Sequence, residues 1–445
     1  MTGPRAETAL VVGMGVSGEA VARHLRDRGA RVIAIDDRPT DEGRRRAEGA
    51  GVVLEQTPHA QALRRLVREV DVVVPTPGLP ESHPVIAFAL EARTPVRSEI
   101  ELASRWARRP MVAITGTNGK TTVTELVAAM LEASGVKAVA CGNIGLTLSD
   151  GVRRDVDVLV AEVSSFQLRF VDSFRPRVAV WLNLAADHLD WHPDLEAYAA
   201  AKARIWEFQQ DDDLAVVNAD DPVVMTWAAS APARVATFGL ARPADWHVDA
   251  EGNLSGPDGP LLPVADLPRT LPHDLANDLA AAAAAVAAGA TPDGVATALR
   301  SFTGLPHRVV LVADRGGVRW YDDSKATNPH ATVAALAQFD SVVLIAGGRN
   351  KGLDLGELRT TAPRVRAVVA VGEAAPEVAA AFDGVRPVTT VGGMEEAVKV
   401  AADVAQPGDA VLLSPACTSW DQYRSYAERG DHFTRLVHEL VGHRP

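Results

Sequence analysis

Short apolar runs that end in glycine or polar residues recur along the chain, with stretches of helical period between them. That alternation predicts βαβ units and parallel sheets. In the first hundred residues the runs are Thr8–Val12, Arg31–Ile35 and Val70–Pro75. A second group is Met111–Ile114, Val136–Ala140, Val156–Ala161, Val178–Leu182 and Val216–Asn218. A third is Val318–Tyr321, Val342–Ala346, Ala367–Val371 and Ala410–Leu413. Helical period marks Asp194–Gln210, with Leu195, Tyr198, Lys202, Ile205 and Trp206 on one face, and marks His273–Ala290 and a helix beginning at Thr291. Ala241–Arg269 is rich in Pro and Gly and predicts surface hairpins and loops, and Asp211-Asp212-Asp213 reads as a solvated turn.

Three groups of strands in 445 residues exceed one core and divide the chain into 1–97, 98–304 and 305–445. The formal charge of −12 argues against a nucleic-acid surface. Two distant cysteines, Cys141 and Cys417, give no disulfide framework and fit a reducing compartment. No secretory segment is expected, and the Ala-rich Leu279–Ala290 is too short to span a bilayer, so the chain reads as cytoplasmic with no membrane partner.

The stretch with the most chemistry is Thr115–Thr122, TGTNGKTT, between the run Met111–Ile114 and a helical pattern. Strand, Gly-rich turn and helix are the context of a phosphate loop, although the position six before Lys120 is Ile114, not the Gly of the full P-loop pattern. Gly116 and Gly119 allow close backbone approach, the free N–H groups at the helix start favour an anion, Lys120 suits β/γ-phosphates, and Thr121 suits Mg²⁺. Gly13–Gly18 is a G-x-G-x-x-G turn with acidic Asp36 and Asp37 one strand later. It fits a nicotinamide dinucleotide, a glycine turn that only packs helix on strand, or another nucleotide diphosphate. The middle runs lead to Cys141–Gly145, to Glu162-Val163-Ser164-Ser165-Phe166-Gln167, and to Asn183 with Asp187-His188-Leu189-Asp190. In a parallel sheet these ends converge beside the phosphate loop, placing Glu162 with Thr121 on Mg²⁺. His188 is either a satisfied loop histidine or a ligand to a second cation.

Lys202 sits on an apolar stripe. It either snorkels, with its ammonium in water, or is desolvated, so that its neutral amine can take up CO₂ and become an anionic carbamate suited to Mg²⁺. In the last third, Lys325, Arg349 and Lys351 follow strand ends, which suits an acidic substrate, and Arg308 is a candidate phosphate contact.

Together GTNGKTT, Glu162-Val-Ser-Ser, Asp187-His188, Lys202, Leu305-Pro-His-Arg308 and Asp323-Ser-Lys-Ala-Thr-Asn328 resemble the Mur ligases, ATP-dependent amino-acid-adding enzymes of peptidoglycan synthesis. The Gly13–Gly18 turn, Thr76-Pro77-Gly78 and Ser414–Asp421 resemble the branch that adds D-glutamate, and the Asp-Asn-Pro-Arg signature of the diaminopimelate- or lysine-adding branches is absent. The resemblance implies an α/β protein with Rossmann-like first and third domains around a central P-loop ATPase domain with a parallel or mixed sheet. It implies D-glutamate addition to UDP-N-acetylmuramoyl-L-alanine through an acyl phosphate, by a monomer.

By the same resemblance, Val16, Ser17, Asp36, Asp37, Arg38, Thr76, Pro77, Gly78 and Asn143 would hold the nucleotide-linked substrate. Gly116, Thr117, Asn118, Gly119, Lys120, Thr121, Thr122, Asn277, Arg308 and Asp323 would hold ATP. Thr121 and Glu162 would bind one Mg²⁺, and His188 with carbamylated Lys202 a second. His188, Lys325, Thr327, Lys351, Ser419 and Tyr426 would surround D-glutamate. Three departures from the family pattern stand out: Asp274 in His273–Asn277, Arg349-Asn350 before Lys351, and Tyr426 for Phe. The rival readings are another Mur-type ligase with a different amino acid, a different ligase of the same class such as the folate polyglutamate-adding enzyme, a nicotinamide oxidoreductase, and a nucleotide-gated binding protein.

Overall fold

The computed structural model describes residues 7–189 and 191–442. They pack into two compact units: residues 7–184 with 191–302, and residues 185–189 with 303–442. Asp190 lies outside the described residues.

The first unit holds two parallel sheets. β1 (Thr8–Val12), β2 (Arg31–Asp36), β3 (Leu54–Gln56) and β4 (Val72–Pro75) pair in the order β3-β2-β1-β4. β5 (Met111–Thr115), β6 (Ala138–Gly142), β7 (Val158–Glu162), β8 (Val178–Trp181), β9 (Leu214–Asn218) and β10 (Arg234–Phe238) pair in the order β10-β9-β8-β5-β7-β6. β5 is fully buried, so its continuous apolar run is what burial on both faces demands. It also lies where the strand order turns back on itself, with β7 on one side and β8 on the other. Loops leaving β5, β7 and β8 therefore share one crevice at the carboxyl ends. One face is covered by the helices Lys120–Ala133 and Pro272–Ala287; the latter's alanines allow close approach to the sheet. The predicted hairpins are β11 (His247–Val248), β12 (Asn253–Gly256) and β13 (Gly259–Pro263), an antiparallel set.

The second unit is a mixed sheet. β14 (Val310–Arg315), β15 (Val318–Asp322), β16 (Val342–Gly347), β17 (Val365–Val371), β18 (Val388–Val391) and β19 (Ala410–Ala416) pair as β14-β15-β19-β16-β17-β18. Only the β14–β15 pairing is antiparallel. Apolar clusters line both faces of this sheet.

Several expectations are corrected. The helix expected over Asp194–Gln210 is Leu195–Ala203, capped by Asp194, whose side chain accepts from Ala197 N. Leu195 is exposed and so does not share the buried face of Tyr198 and Lys202. Asp213 is no solvated turn residue: it is buried and paired with Arg175 and Arg177. β3, β10, β14 and β18 were not anticipated, and each lies at the edge of its sheet.

Candidate active site

After β5 the chain turns through Gly116 at φ +157° and Gly119 at φ +87°, then enters the helix Lys120–Ala133. The second glycine is required twice over. Its φ is left-handed, and a Cβ there would stand 2.5 Å from Asn277 Oδ1. Asn183, just past β8, staples the turn: Asn118 N donates to its Oδ1 at 2.9 Å, and its Nδ2 donates to Asn118 O at 3.1 Å. Lys120 Nζ folds back on the loop, donating to Gly116 O at 2.8 Å and Thr117 O at 2.9 Å.

Across the crevice, Thr121 Oγ1 donates to Glu162 Oε2 at 2.8 Å, and Asn143 Nδ2 donates to Glu162 Oε1 at 3.0 Å. A hydroxyl and a carboxylate beside a phosphate-sized turn are hard oxygen donors, the kind Mg²⁺ shares with substrate phosphates. Among the described residues no group of three or more His, Cys, Asp or Glu gathers as a metal cluster. An ion at this point would draw its remaining ligands from water and substrate. Thr122 Oγ1 is buried without a partner.

Lys202 does not snorkel. It is 1% exposed, donates to the same Gly116 carbonyl at 2.9 Å, and lies 4.5 Å from the centre of the Tyr198 ring. Tyr198 OH in turn approaches Thr117 Oγ1 at 3.3 Å. His192 is buried in the same cluster with its Nε2 2.9 Å from Ser165 Oγ. Burial, with Lys202 nearby, pushes its pKa down to about 4, so it is a neutral imidazole.

The first sheet carries the other glycine turn. Gly13, at φ +89°, leaves room for Thr76, whose Oγ1 a Cβ would meet at 2.4 Å. Asp36 accepts from Arg38 N at 2.9 Å, and Asp37 meets His83 Nε2 at 3.0 Å. Val16 and Arg38 are exposed, Ser17, Thr76 and Pro77 half-buried, Gly78 exposed. The turn after β4 is tied to the central sheet's loops: Trp191 Nε1 donates to Leu79 O at 2.9 Å, and Arg169 pairs with Glu81 through two contacts.

Asn277 packs on Gly119, and Asp274, one turn earlier, is clamped by Arg269 Nε and Nη2 at 3.0 and 2.8 Å. The Asp274 carboxylate is thus compensated by a guanidinium. Asp278, on the same helix, is pushed up to about 8 by burial, with Asp274 adding to the shift.

In the second unit Asp323 is buried and accepts from Ser414 Oγ at 2.7 Å. Burial pushes its pKa up to about 7, against the pull of Arg308. Lys325 Nζ lies 5.5 Å from the Tyr426 ring, with Thr327 half-buried and Ser419 buried nearby in sequence to these turns. Arg349 is half exposed and paired with Glu373 through two bonds of 2.8 Å. Lys351 is buried against Asp187, and His188 sits beside them at φ +55°. Sequence reasoning missed Asn183 as the loop staple and Arg429, a buried guanidinium that holds the Ser324 and Cys417 carbonyls. Asn183 was findable as the first polar residue after a buried strand. Nothing local marks Arg429.

A parallel sheet whose central strand ends in a glycine-rich anion loop, facing a Thr–Glu pair and two lysines, defines a nucleotide-using α/β protein. Three family models cover most of the chain: the Mur ligase MurD-like N-terminal domain over 7–98, the Mur ligase middle domain over 114–285, and the Mur ligase glutamate ligase domain over 307–417. The chain belongs to the Mur ligase family. It is 46% identical to the UDP-N-acetylmuramoylalanine–D-glutamate ligase of Frankia casuarinae, over 97% of this chain and 94% of that one. It is 40% identical to the ligase of the same name from Geobacillus kaustophilus, over 97% of both. A pseudomurein peptide ligase type C from Methanothermus fervidus shares the fold, with a TM-score of 0.63 at 19% identity over 98% of this chain and 100% of that one.

Proposed function

We propose that this protein joins D-glutamate to UDP-N-acetylmuramoyl-L-alanine at the expense of ATP, in the cytoplasm, as a monomer of three domains, 1–97, 98–304 and 305–445. The observation that carries the reading is the Lys120–Gly116–Lys202 arrangement facing Thr121 and Glu162. It gathers the Lys120 ammonium, the buried Lys202 side chain and a divalent-ion donor pair where a terminal phosphate would be transferred. High identity to D-glutamate ligases along the whole chain supports the choice of substrates.

Lys120 leaves the Gly116 and Thr117 carbonyls for the β/γ-phosphates of ATP, with Asn277, Arg308 and Asp323 on the nucleoside. Residues 16–17, 36–38 and 76–78 seat the uridine diphosphate, so the first glycine turn serves a nucleotide diphosphate instead of NAD. Thr121 and Glu162 would hold one Mg²⁺, and His188 with carbamylated Lys202 a second; their chemistry is neutralisation of phosphate charge. The acid's carboxylate oxygen attacks the γ-phosphorus, giving ADP and an acyl phosphate. D-glutamate is held by Lys325, Thr327, Lys351, Ser419 and Tyr426, and its amine attacks the acyl carbon. Phosphate leaves with the former carboxylate oxygen, and the amine proton passes to solvent or phosphate. The chain needs no nucleophile of its own; it contributes position and charge.

The test is phosphate release with ATP and UDP-N-acetylmuramoyl-L-alanine across D-glutamate, L-alanine, L-lysine and diaminopimelate. Release with D-glutamate alone is expected. Equal release with any amino acid, or none with D-glutamate, would overturn the reading.

A further inference from the structure

The buried ion pair of Lys351 with Asp187 is unexplained by a lysine whose task is to bind substrate. The two side chains are 8% and 6% exposed, and Lys351 Nζ donates to Asp187 Oδ1. Asp187 is held by two further donors, His188 N at 2.8 Å and Asn328 Nδ2 at 3.0 Å. Lys351 lines a concave surface with Arg349, Gly352, Thr418 and Trp420, and Arg349 is already paired with Glu373. An acidic amino acid entering this cavity therefore meets a cation that already carries the chain's own carboxylate.

A buried ammonium is costly to leave unpaired, so Lys351 gives up Asp187 only to another anion. A substrate carboxylate exchanges like for like and leaves the charge compensated. A neutral side chain finds the ammonium satisfied and gains nothing from it. Resting on the D-glutamate reading above, we propose that Asp187 is a place-holder for the acidic substrate: it occupies Lys351 until the side-chain carboxylate of D-glutamate displaces it, and this exchange sets both the affinity and the preference for an acidic amino acid. Asp187 is a positioning residue in this scheme. It lies in 185–189, a segment without helix or strand that can move without unzipping a sheet.

The experiment is steady-state kinetics on the full-length enzyme, with ATP and UDP-N-acetylmuramoyl-L-alanine saturating. Asp187→Asn removes the competitor, so the D-glutamate KM is expected to fall about fivefold or more, while the ATP KM stays within about twofold. In the Lys351→Met background the D-glutamate KM rises, and adding Asp187→Asn changes it no further. A rise in the D-glutamate KM for Asp187→Asn overturns the proposal, since Asp187 would then be presenting Lys351 to the substrate. An equal fall with and without Lys351 overturns it too. Should Asp187→Asn fail to give a cooperative melting curve, Asp187→Ser carries the same expectations. Wild-type enzyme without D-glutamate-dependent phosphate release would bring down the function proposed above, and is a separate result.

Discussion

The carbonyl of Gly116 accepts from two ammonium groups, Lys120 at 2.8 Å and Lys202 at 2.9 Å. Two like charges on one buried oxygen repel, and a phosphate or a carbamate near them would relieve that repulsion. Removing either lysine should therefore cost catalysis more than folding. Lys202→Ala is expected to lose turnover by about a hundredfold or more, with partial recovery on addition of formate or acetate, which restore an anion in the vacated space. Near-wild-type turnover in the plain variant would remove the carbamate role. Gly119→Ala is expected to weaken ATP binding: its φ of +87° and the 2.5 Å approach to Asn277 Oδ1 both oppose a methyl group. Isothermal titration with a non-hydrolysable ATP analogue checks it. At this scale the sequence was informative about residue type but not depth. The apolar stripe around Lys202 is visible in the spacing. Whether the ammonium reaches water depends on Gly116, which is 86 positions away and meets it only in the fold.

Elements that carry the site are fixed by their ends. Asp194 caps the helix that delivers Tyr198 and Lys202, accepting from Ala197 N at 2.8 Å. Asp194→Ala should lower stability by about 1 kcal/mol, read as a fall in Tm, and should lower turnover through looser placement of Lys202. The helices Glu99–Trp106 and Leu148–Gly151 meet at Glu99, whose Oε1 accepts from Ser149 N at 2.5 Å. Burial pushes this carboxyl up to about 7 from 4.5, so the folded chain holds a proton that the unfolded chain releases. Below pH 4.5 both states are protonated. Between there and about 7 stability falls as pH rises, and above about 7 the loss is complete. Glu99→Gln should remove this slope, gaining on the wild type by roughly 3 kcal/mol at most between pH 4.5 and 8 in urea titrations. An unchanged slope would mean that Glu99 is ionised in the folded protein. The strands that the sequence pattern did not reveal share one cause. β3, β10, β14 and β18 are sheet edges, half open to water; β3, β10 and β18 lack the unbroken apolar runs that mark central strands such as β5 and β16, and the run Val310-Leu311-Val312-Ala313 of β14 lies at exposed and half-buried positions.

For the whole molecule, the order of motifs along the chain was readable because each follows a buried strand at its carboxyl end. The crevice they share in the first unit follows from the strand order β10-β9-β8-β5-β7-β6, which no local pattern encodes. Asp187 shows the limit most plainly. In sequence it follows β8 in the middle of the chain, yet it packs with residues 303–442, against Lys351 and Asn328. Among the described residues no helix is long and apolar enough to cross a membrane. The mechanism is tested most directly by the fate of an oxygen atom. UDP-N-acetylmuramoyl-L-alanine labelled with ¹⁸O in its free carboxylate, incubated with ATP and D-glutamate, should yield inorganic phosphate carrying one labelled oxygen. Unlabelled phosphate released alongside the amide product would contradict an acyl phosphate, and with it the roles of Lys120, Glu162 and Lys202 in forming one.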